Sequence, residues 1–126
     1  MPLNCLSDEN SWILNREFSM EEVELVLKQT GGNITHGIDG ISYSFIKAYW
    51  DIIKIAFWNA INHFLCFGKL NEVWKDTLII LIPKVSNLMS PSNYRPTSLC
   101  NSTYKVAAKV ILNKLVSIIP KLIYEE

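Results

Sequence analysis

Cysteine is scarce in this chain of 126 residues, and the three that occur lie far apart, at Cys5, Cys66 and Cys100. An odd number without any Cys-x-x-Cys pair predicts neither a disulfide framework nor a zinc knuckle. The sequence also lacks a basic start followed by a long apolar run, which is the pattern of a secretory signal. We therefore expect an intracellular protein, in the nucleus or the cytoplasm, that is not secreted.

Long hydrophobic runs and metal-ligand patterns are absent as well. The longest uncharged run, residues 55–68, has 14 residues against the roughly 20 that cross a bilayer, so no membrane association is predicted. His36 and His63 are the only histidines and lie 27 residues apart, so no metal ligand is predicted. There is no glycine-rich phosphate loop and no Gly-x-Ser-x-Gly nucleophile motif. These absences leave no candidate catalytic residue of those kinds.

Charge is balanced overall but unevenly distributed along the chain. The 12 basic and 12 acidic residues cancel. Residues 1–76 contain 10 acidic and 6 basic residues, whereas residues 78–124 contain six cations and no carboxylate. A partner that carries phosphate groups is therefore expected on the C-terminal half.

Apolar residues make up 49% of the chain, enough for the core of one domain or of part of one. Residues 19–22, Ser-Met-Glu-Glu, form a capping-box pattern that begins a helix, and Gly31-Gly32 ends it. A second helical stretch begins after Ser42 and stops at Gly68. It is apolar almost all round, so we predict either one helix buried on more than one side or two helices with a break near residues 51–55.

The C-terminal half predicts two extended segments and a helix. Residues 78–82, Leu-Ile-Ile-Leu-Ile, are typical of a buried strand, and Pro96 favours an extended segment at 94–99. A last helix begins at Asn101 or Ser102 and ends at Pro120, with Lys105, Lys109 and Lys114 off its apolar stripe. The predicted stripe comprises Tyr104, Ala107, Ala108, Ile111, Leu112, Leu115 and Ile119. The resulting fold class is α+β, helix-rich, with an incomplete sheet.

Lys84 and Arg95 are the strongest candidates for a binding site. Each adjoins one of the extended segments, so a hairpin between them would bring the two cations to one place. Two cations without a nearby carboxylate suit a phosphate or a triphosphate, since lysine acts as a point charge and arginine as a bidentate fork. The alternative from the residues alone is that both are solvated loop cations. Asp39 lies in a Gly-Ile-Asp-Gly sequence, and from the residues alone it is predicted to be a turn aspartate.

Several short motifs follow one another in a characteristic order. In the C-terminal half they are Leu-Ile-Pro-Lys at 81–84, Asn-Tyr-Arg-Pro-Thr-Ser-Leu-Cys-Asn at 93–101, Tyr-Lys-Val at 104–106 and Lys-Val-Ile-Leu-Asn-Lys-Leu at 109–115. With these motifs the chain resembles the reverse transcriptases of LINE-type (non-LTR) retrotransposons, most closely those common in plant genomes. Upstream, residues 37–40 are similar to the family's P-G-x-D-G loop, residues 45–52 to its F-x-x-x-F-W-x-x helix and residues 64–74 to its F-x-x-G-x-L…W segment.

This resemblance implies that residues 18–126 are part of a reverse transcriptase domain, the fingers subdomain of a right-hand polymerase fold, truncated before the palm. Residues 1–17 are then an N-terminal flanking segment. Lys84 and Arg95 match the fingers cations that contact the triphosphate of the incoming nucleotide. Asp39 and Gly40 match a loop that lies near the template, which makes them candidate template contacts. The implied partners of the complete enzyme are an RNA template and a DNA primer.

The same resemblance implies Mg²⁺ as the cofactor of the complete family enzyme, held by aspartates of the palm. Since residues 78–124 contain no carboxylate, we expect no catalytic residue and no bound cofactor in this chain, which would be inactive alone. Three departures from the family pattern stand out. The loop before Gly37 lacks a cation and a proline, Thr97 places a hydroxyl where an apolar side chain is usual, and Lys114 stands where arginine is common.

A second hypothesis is a small helical nucleic-acid-binding or protein-interaction module without catalytic activity, which the basic C-terminal half permits. If the chain is part of a reverse transcriptase, we expect its binding to nucleic acid to be weak, non-specific and sensitive to salt. A tight, sequence-selective complex that survives high salt would favour the second hypothesis. The sequence does not indicate an oligomeric state.

Overall fold

A computed structural model describes residues 6–31 and 35–123. In these two ranges the chain is helix-rich and contains a two-stranded sheet. The helices are α1 (Asp8–Asn15), α2 (Met20–Gln29), α3 (Tyr43–Ala48), α4 (Trp50–Phe67), α5 (Glu72–Lys75) and α6 (Ser102–Ile123). The strands are β1 (Thr77–Pro83) and β2 (Tyr94–Cys100), with a single 3-10 turn (Pro91–Asn93) between them.

The predicted capping box at the start of α2 is confirmed. The Ser19 hydroxyl accepts from the Glu22 N–H at 3.3 Å, and the Glu22 carboxylate accepts from the Ser19 N–H at 2.8 Å. These two bonds satisfy N–H groups that the first helical turn leaves without partners. The helix ends at Gln29, just before the predicted glycine stop, of which Gly32 lies outside the described residues.

Ser42 caps α3 as predicted, and of the two alternatives for the following stretch the structure shows two helices. The break falls at Tyr49, two residues before the region near 51–55 in which it was predicted. Burial of α4 on more than one side is wrong, because Ile52 and Ile55 are 80% and 63% exposed while Ile61 is fully buried. Gly68 ends α4 in the left-handed conformation (φ +66°), which glycine adopts without steric cost.

The core lies between α2, α4 and α6, and α3 contributes Ile46 to it. Fully burying one Val or Ile side chain stabilises a fold by about 1.5–3 kcal/mol, so even a few such residues contribute several kcal/mol to the packing of the helices. The described side chains with 0–1% exposure at its centre are Val23, Val26, Ile46, Ile61, Val106 and Ala107.

The buried face of α6 matches the predicted stripe only in part, since Ala107 is buried and Ile111 packs against the core. Leu112 and Ile119, two members of that stripe, are 45% and 42% exposed. Because α6 is apolar on more than one side, the spacing of its apolar residues is compatible with burial of either of two faces. Packing against α1 and α2 selects one of them. The face that packs comprises Ser102, Thr103, Val106, Ala107, Val110, Lys114 and Ile118.

Pro120 does not end α6, contrary to the prediction. The helix continues to Ile123 with the proline inside it. Proline removes only one helical hydrogen bond, the one to the carbonyl of Val116. Val116 is 56% exposed. The missing hydrogen bond lies in the last turns of α6, so it interrupts little of the helix.

Lys114 is a buried cation that ties α6 to the segment between α1 and α2. Only 6% of the residue is exposed, and its ammonium donates to the Arg16 carbonyl at 2.8 Å. The same ammonium lies 3.6 Å from the centroid of the Phe18 ring, a cation–π contact. Burial lowers the pKa of Lys114, an effect that the nearby Glu22 carboxylate opposes. The prediction that Lys114 points away from the packed face is therefore wrong.

The segment that Lys114 contacts is held from the other side by α4. Asn62 accepts from the Phe18 N–H at 3.3 Å, and the Trp58 indole donates to the Phe18 carbonyl at 2.9 Å. The described part of residues 1–17 also packs on α6, where Lys121 Nζ lies 3.5 Å from Asn10 Oδ1. Helix α1 therefore joins the same packed body as residues 18–123.

The strands β1 and β2 pair as an antiparallel hairpin, with Thr77 opposite Cys100 and Pro83 opposite Tyr94. The extended conformation predicted at 78–82 and 94–99 is confirmed. The predicted burial of the first strand is wrong, because Ile79 is 65% exposed and Leu81 59%. Two strands form the whole sheet in the described part of the chain, and no helix there covers either face of β1. Within the described ranges, no helix is long and apolar enough to span a membrane.

We expect Lys114→Ala to lower the free energy of unfolding by about 1–3 kcal/mol, because the Arg16 carbonyl loses its donor and the Phe18 ring loses its cation. Urea denaturation followed by circular dichroism measures the change. The exposed Lys109, on the same helix, is the matched control, and Lys109→Ala should stay within about 0.5 kcal/mol of the parent. Equal effects of the two substitutions would contradict the role assigned to Lys114.

The exposed apolar hairpin should make the chain bind hydrophobic dyes and associate with itself. The double variant Ile79→Thr, Leu81→Thr should reduce dye fluorescence and concentration-dependent association while the far-UV helical signal is kept. Ile61→Thr, which places a hydroxyl in the core, should instead weaken the helical fold. A parent chain that is monomeric and does not bind dye would contradict this expectation.

Candidate functional site

The hairpin register places Lys84 and Arg95 on one face of the two-stranded sheet. Arg95 lies opposite Ile82, and the ladder continues one step further, where the Lys84 N–H donates to the Asn93 carbonyl at 2.8 Å. Residues two apart on one strand share a face, so Lys84 and Arg95 are diagonal cross-strand neighbours. The hairpin that the sequence analysis required for their convergence is therefore present.

Neither cation is neutralised by a carboxylate. Among residues 6–31 and 35–123, the ion pairs join Arg16 to Glu22, Lys54 to Asp51 and Lys75 to Glu72. Lys84 donates only to a neutral acceptor, the Ser92 carbonyl at 3.3 Å, and Arg95 is exposed. The local charge is therefore available to an anion, and an extended anion such as a triphosphate can contact a point charge and a planar fork together.

The chain between the strands is shaped by short-range polar contacts. Ser90 accepts from the Ser92 N–H at 3.4 Å and begins the 3-10 turn. The Asn93 amide donates to the Asn87 carbonyl at 3.1 Å, which closes the turn against the start of β2. Serine and asparagine favour such local bonds, and the same bonds position the Lys84 end of the hairpin.

The Asp39 loop is a tight turn in which one carboxylate oxygen accepts a backbone hydrogen bond. Gly40, at φ +73°, donates its N–H to the Gly37 carbonyl at 3.1 Å. Asp39 Oδ1 accepts from the Ile41 N–H at 3.0 Å, a bond that stabilises the turn itself. Both candidate template contacts, Asp39 and Gly40, are exposed.

The structure does not bring the two groups of predicted site residues together. Asp39 donates its N–H to the side chain of Asn101, which follows the end of β2, whereas Arg95 is near the start of that strand. Six residues separate Arg95 from Asn101, which corresponds to about 20 Å of extended chain. The Lys84–Arg95 pair and the Asp39 loop therefore lie at opposite ends of the hairpin.

Sequence reasoning missed the role of Asn101, which is fully buried. Its Oδ1 accepts from the Asp39 N–H at 3.4 Å and its Nδ2 donates to the Val73 carbonyl at 2.9 Å. Next to it, the Ser102 hydroxyl donates to the Ile41 carbonyl at 2.6 Å. The position of Asn101 between a predicted strand and a predicted helix indicated only the start of that helix. Nothing in the sequence indicated its contacts with Asp39 and Val73.

The described residues do not fit a metal site. In the two described ranges, no group of three or more His, Cys, Asp or Glu side chains is placed to hold a metal ion. The segment that carries Lys84 and Arg95 offers no carboxylate between residues 78 and 124, so the hairpin supplies positive charge without metal ligands.

Comparison with known proteins gives one relevant similarity. No protein-family model matches the chain. The chain is 26% identical over 124 residues to a protein of Xenopus laevis named the transposon TX1 uncharacterized 149 kDa protein. That alignment covers 98% of this chain and 10% of the Xenopus protein, so the chain spans about a tenth of its relative's length.

Gly37→Ala should destabilise the fold, because a Cβ at this position would lie 2.3 Å from Asn101 Oδ1 and 2.6 Å from its backbone nitrogen. We expect a loss above about 2 kcal/mol in the free energy of unfolding, measured by urea titration. Gly31 is the matched control, since nothing lies within 4 Å of its added Cβ, and Gly31→Ala should be neutral or slightly stabilising. Similar losses at both positions would contradict the close packing against Asn101.

Proposed function

We propose that this chain is the fingers portion of the reverse transcriptase of a LINE-type (non-LTR) retrotransposon, an RNA-directed DNA polymerase. The observation that carries the proposal is the pairing of Lys84 and Arg95 on one face of a hairpin without any carboxylate partner. The motif order of the sequence and the similarity to a transposon protein over nearly the whole chain support it. The two-stranded sheet would be one part of a larger polymerase sheet.

In this proposal Lys84 and Arg95 contact the triphosphate of an incoming nucleotide. Their charges offset the negative charge of the phosphates, and the guanidinium fork orients one phosphate group by two parallel hydrogen bonds. Thr97 lies opposite Ile80 on the same face of the hairpin and places a hydroxyl beside this site. In this proposal the chain contributes substrate binding and orientation.

The complete enzyme is expected to use Mg²⁺, with an RNA template and a DNA primer as its partners. The described residues do not fit Mg²⁺, so the proposal assigns its ligands to the palm, outside this chain. The Asp39–Gly40 loop stays a candidate template contact. Asp39 Oδ1 accepts from the Ile41 N–H, while its side chain and the backbone of the turn are both exposed, so either could make such a contact.

The proposal is tested in a chimera that joins this chain to the palm of a related enzyme. Lys84→Ala and Arg95→Ala should each raise the KM for the nucleotide about 10- to 100-fold, since a charge-assisted hydrogen bond contributes roughly 1.5–3 kcal/mol. Template affinity should be nearly unchanged. Lys109→Ala, an exposed cation on α6, is the control and should leave both constants as they are.

The chain alone, assayed with template, primer and Mg²⁺, should incorporate no nucleotide above a control without protein. In the chimera, a loss of template affinity in Lys84→Ala and Arg95→Ala with unchanged nucleotide kinetics would favour the second hypothesis, a small nucleic-acid-binding module without catalytic activity. Incorporation by the chain alone would contradict the assignment of the catalytic carboxylates to the palm.

A further inference from the structure

A cleft of about 380 Å³ lies between the C-terminal part of α4 and the segment that leads into α5. The left-handed turn at Gly68 reverses the chain, so that the segment after it returns along α4. Asn71 caps α5 by accepting from the Val73 N–H at 3.0 Å, and the Val73 carbonyl is held by Asn101. The cleft wall is therefore fixed by the same buried amide that organises the Asp39 loop.

The cleft is positively charged, although it lies in the acidic half of the sequence. Its polar lining comes from His63, Lys69 and Asn71, and no carboxylate lines it. In the described structure, Lys69 has no ion-pair or hydrogen-bond partner, while the His63 ring contacts Phe67 at a centroid distance of 4.7 Å. A cleft with an unpaired ammonium and no acid selects an anionic ligand.

Two aromatic side chains, Phe64 and Trp74, form the apolar part of the same cleft. Both are partly buried, so their rings are held by the fold while one side remains accessible. Aromatic rings beside cations are the combination by which proteins bind single-stranded nucleic acids, because every base has a π face and every nucleotide a phosphate. The volume lies at the lower end of the range for small-ligand sites, which suits one nucleotide unit.

A second cleft of similar size, about 360 Å³, is a weaker candidate for such a ligand. It is lined by Glu24, Lys28, Lys47 and Trp50, so it includes a carboxylate that would repel a phosphate. The Trp50 indole donates to Glu24 at 2.9 Å, and Lys47 donates to the Thr30 carbonyl. Its polar groups thus already serve the packing of α2 against α3 and α4.

We propose that the cleft between α4 and α5 binds one nucleotide unit of a single-stranded nucleic acid. The base lies against Trp74 and Phe64, and the phosphate lies at Lys69 and His63. This inference goes beyond the proposed polymerase function, since it rests on the lining of the cleft and requires neither the Lys84–Arg95 pair nor a triphosphate.

The test measures binding of a short labelled single-stranded oligothymidylate to the full chain at low salt, by fluorescence anisotropy. Trp74→Ala should weaken binding roughly five- to 150-fold, the equivalent of one base–aromatic stack, and Trp74→Phe should keep most of the affinity. Lys69→Ala should weaken binding and reduce the log–log salt slope by about 0.7. Lys28→Ala, in the second cleft, should leave binding unchanged, and circular dichroism confirms that each variant is folded.

Four results would overturn the proposal. The first is an oligonucleotide that does not bind the folded chain. The second is a loss of affinity in Lys28→Ala equal to that in Lys69→Ala, and the third is the same loss of affinity in Trp74→Phe as in Trp74→Ala. The fourth is displacement by an oligoglutamate peptide as effective as displacement by unlabelled oligothymidylate, which would make the cleft a site for acidic peptides. Because the probe contains no triphosphate, these outcomes are independent of the nucleotide kinetics of Lys84 and Arg95.

Discussion

The buried side-chain amide of Asn101 is the interaction on which the arrangement of the functional elements depends. It joins the Asp39 turn to α5 at the point where β2 ends and α6 begins. Each of its two polar atoms has a partner, which matters because a buried polar atom without one costs about 1–3 kcal/mol. Gly37 makes the contact sterically feasible, since any side chain at that position would overlap Asn101. One residue thus sets the position of the hairpin base, of the turn and of the cleft wall.

The hairpin extends from this junction and has a different physical character from the helical body. Helices α2, α3, α4 and α6 bury residues in a shared core, whereas β1 exposes apolar side chains on both of its faces. A strand of this composition is stable in a larger sheet with cover above and below, an arrangement that the proposed polymerase context would provide. The cations Lys84 and Arg95 lie at the end of the hairpin remote from Asn101, so they depend on the rigidity of the two strands for their position.

Local signals predicted the parts of the fold that local contacts determine. The capping box at Ser19, the cap at Ser42 and the stop at Gly68 each depend on hydrogen bonds or backbone angles within a few residues, and each is present. The two extended segments followed from β-branched and proline-containing sequence, and their antiparallel pairing brought Lys84 and Arg95 to one face. Their contact with a triphosphate stays a prediction, because it concerns a molecule outside the chain.

The sequence by itself therefore determined the types of most elements, including the two extended segments and the candidate cations beside them, because these depend on short-range chemistry. The antiparallel pairing of the two segments came from the structure. The tertiary structure alone decided which face of α6 is buried, that Lys114 belongs to that buried face, and that β1 remains uncovered. It also placed Lys69 and Trp74 beside His63 in one cleft, although nothing in their spacing indicates a shared site. The reason is physical: an apolar segment can bury several alternative faces, and only its packing partners select one of them.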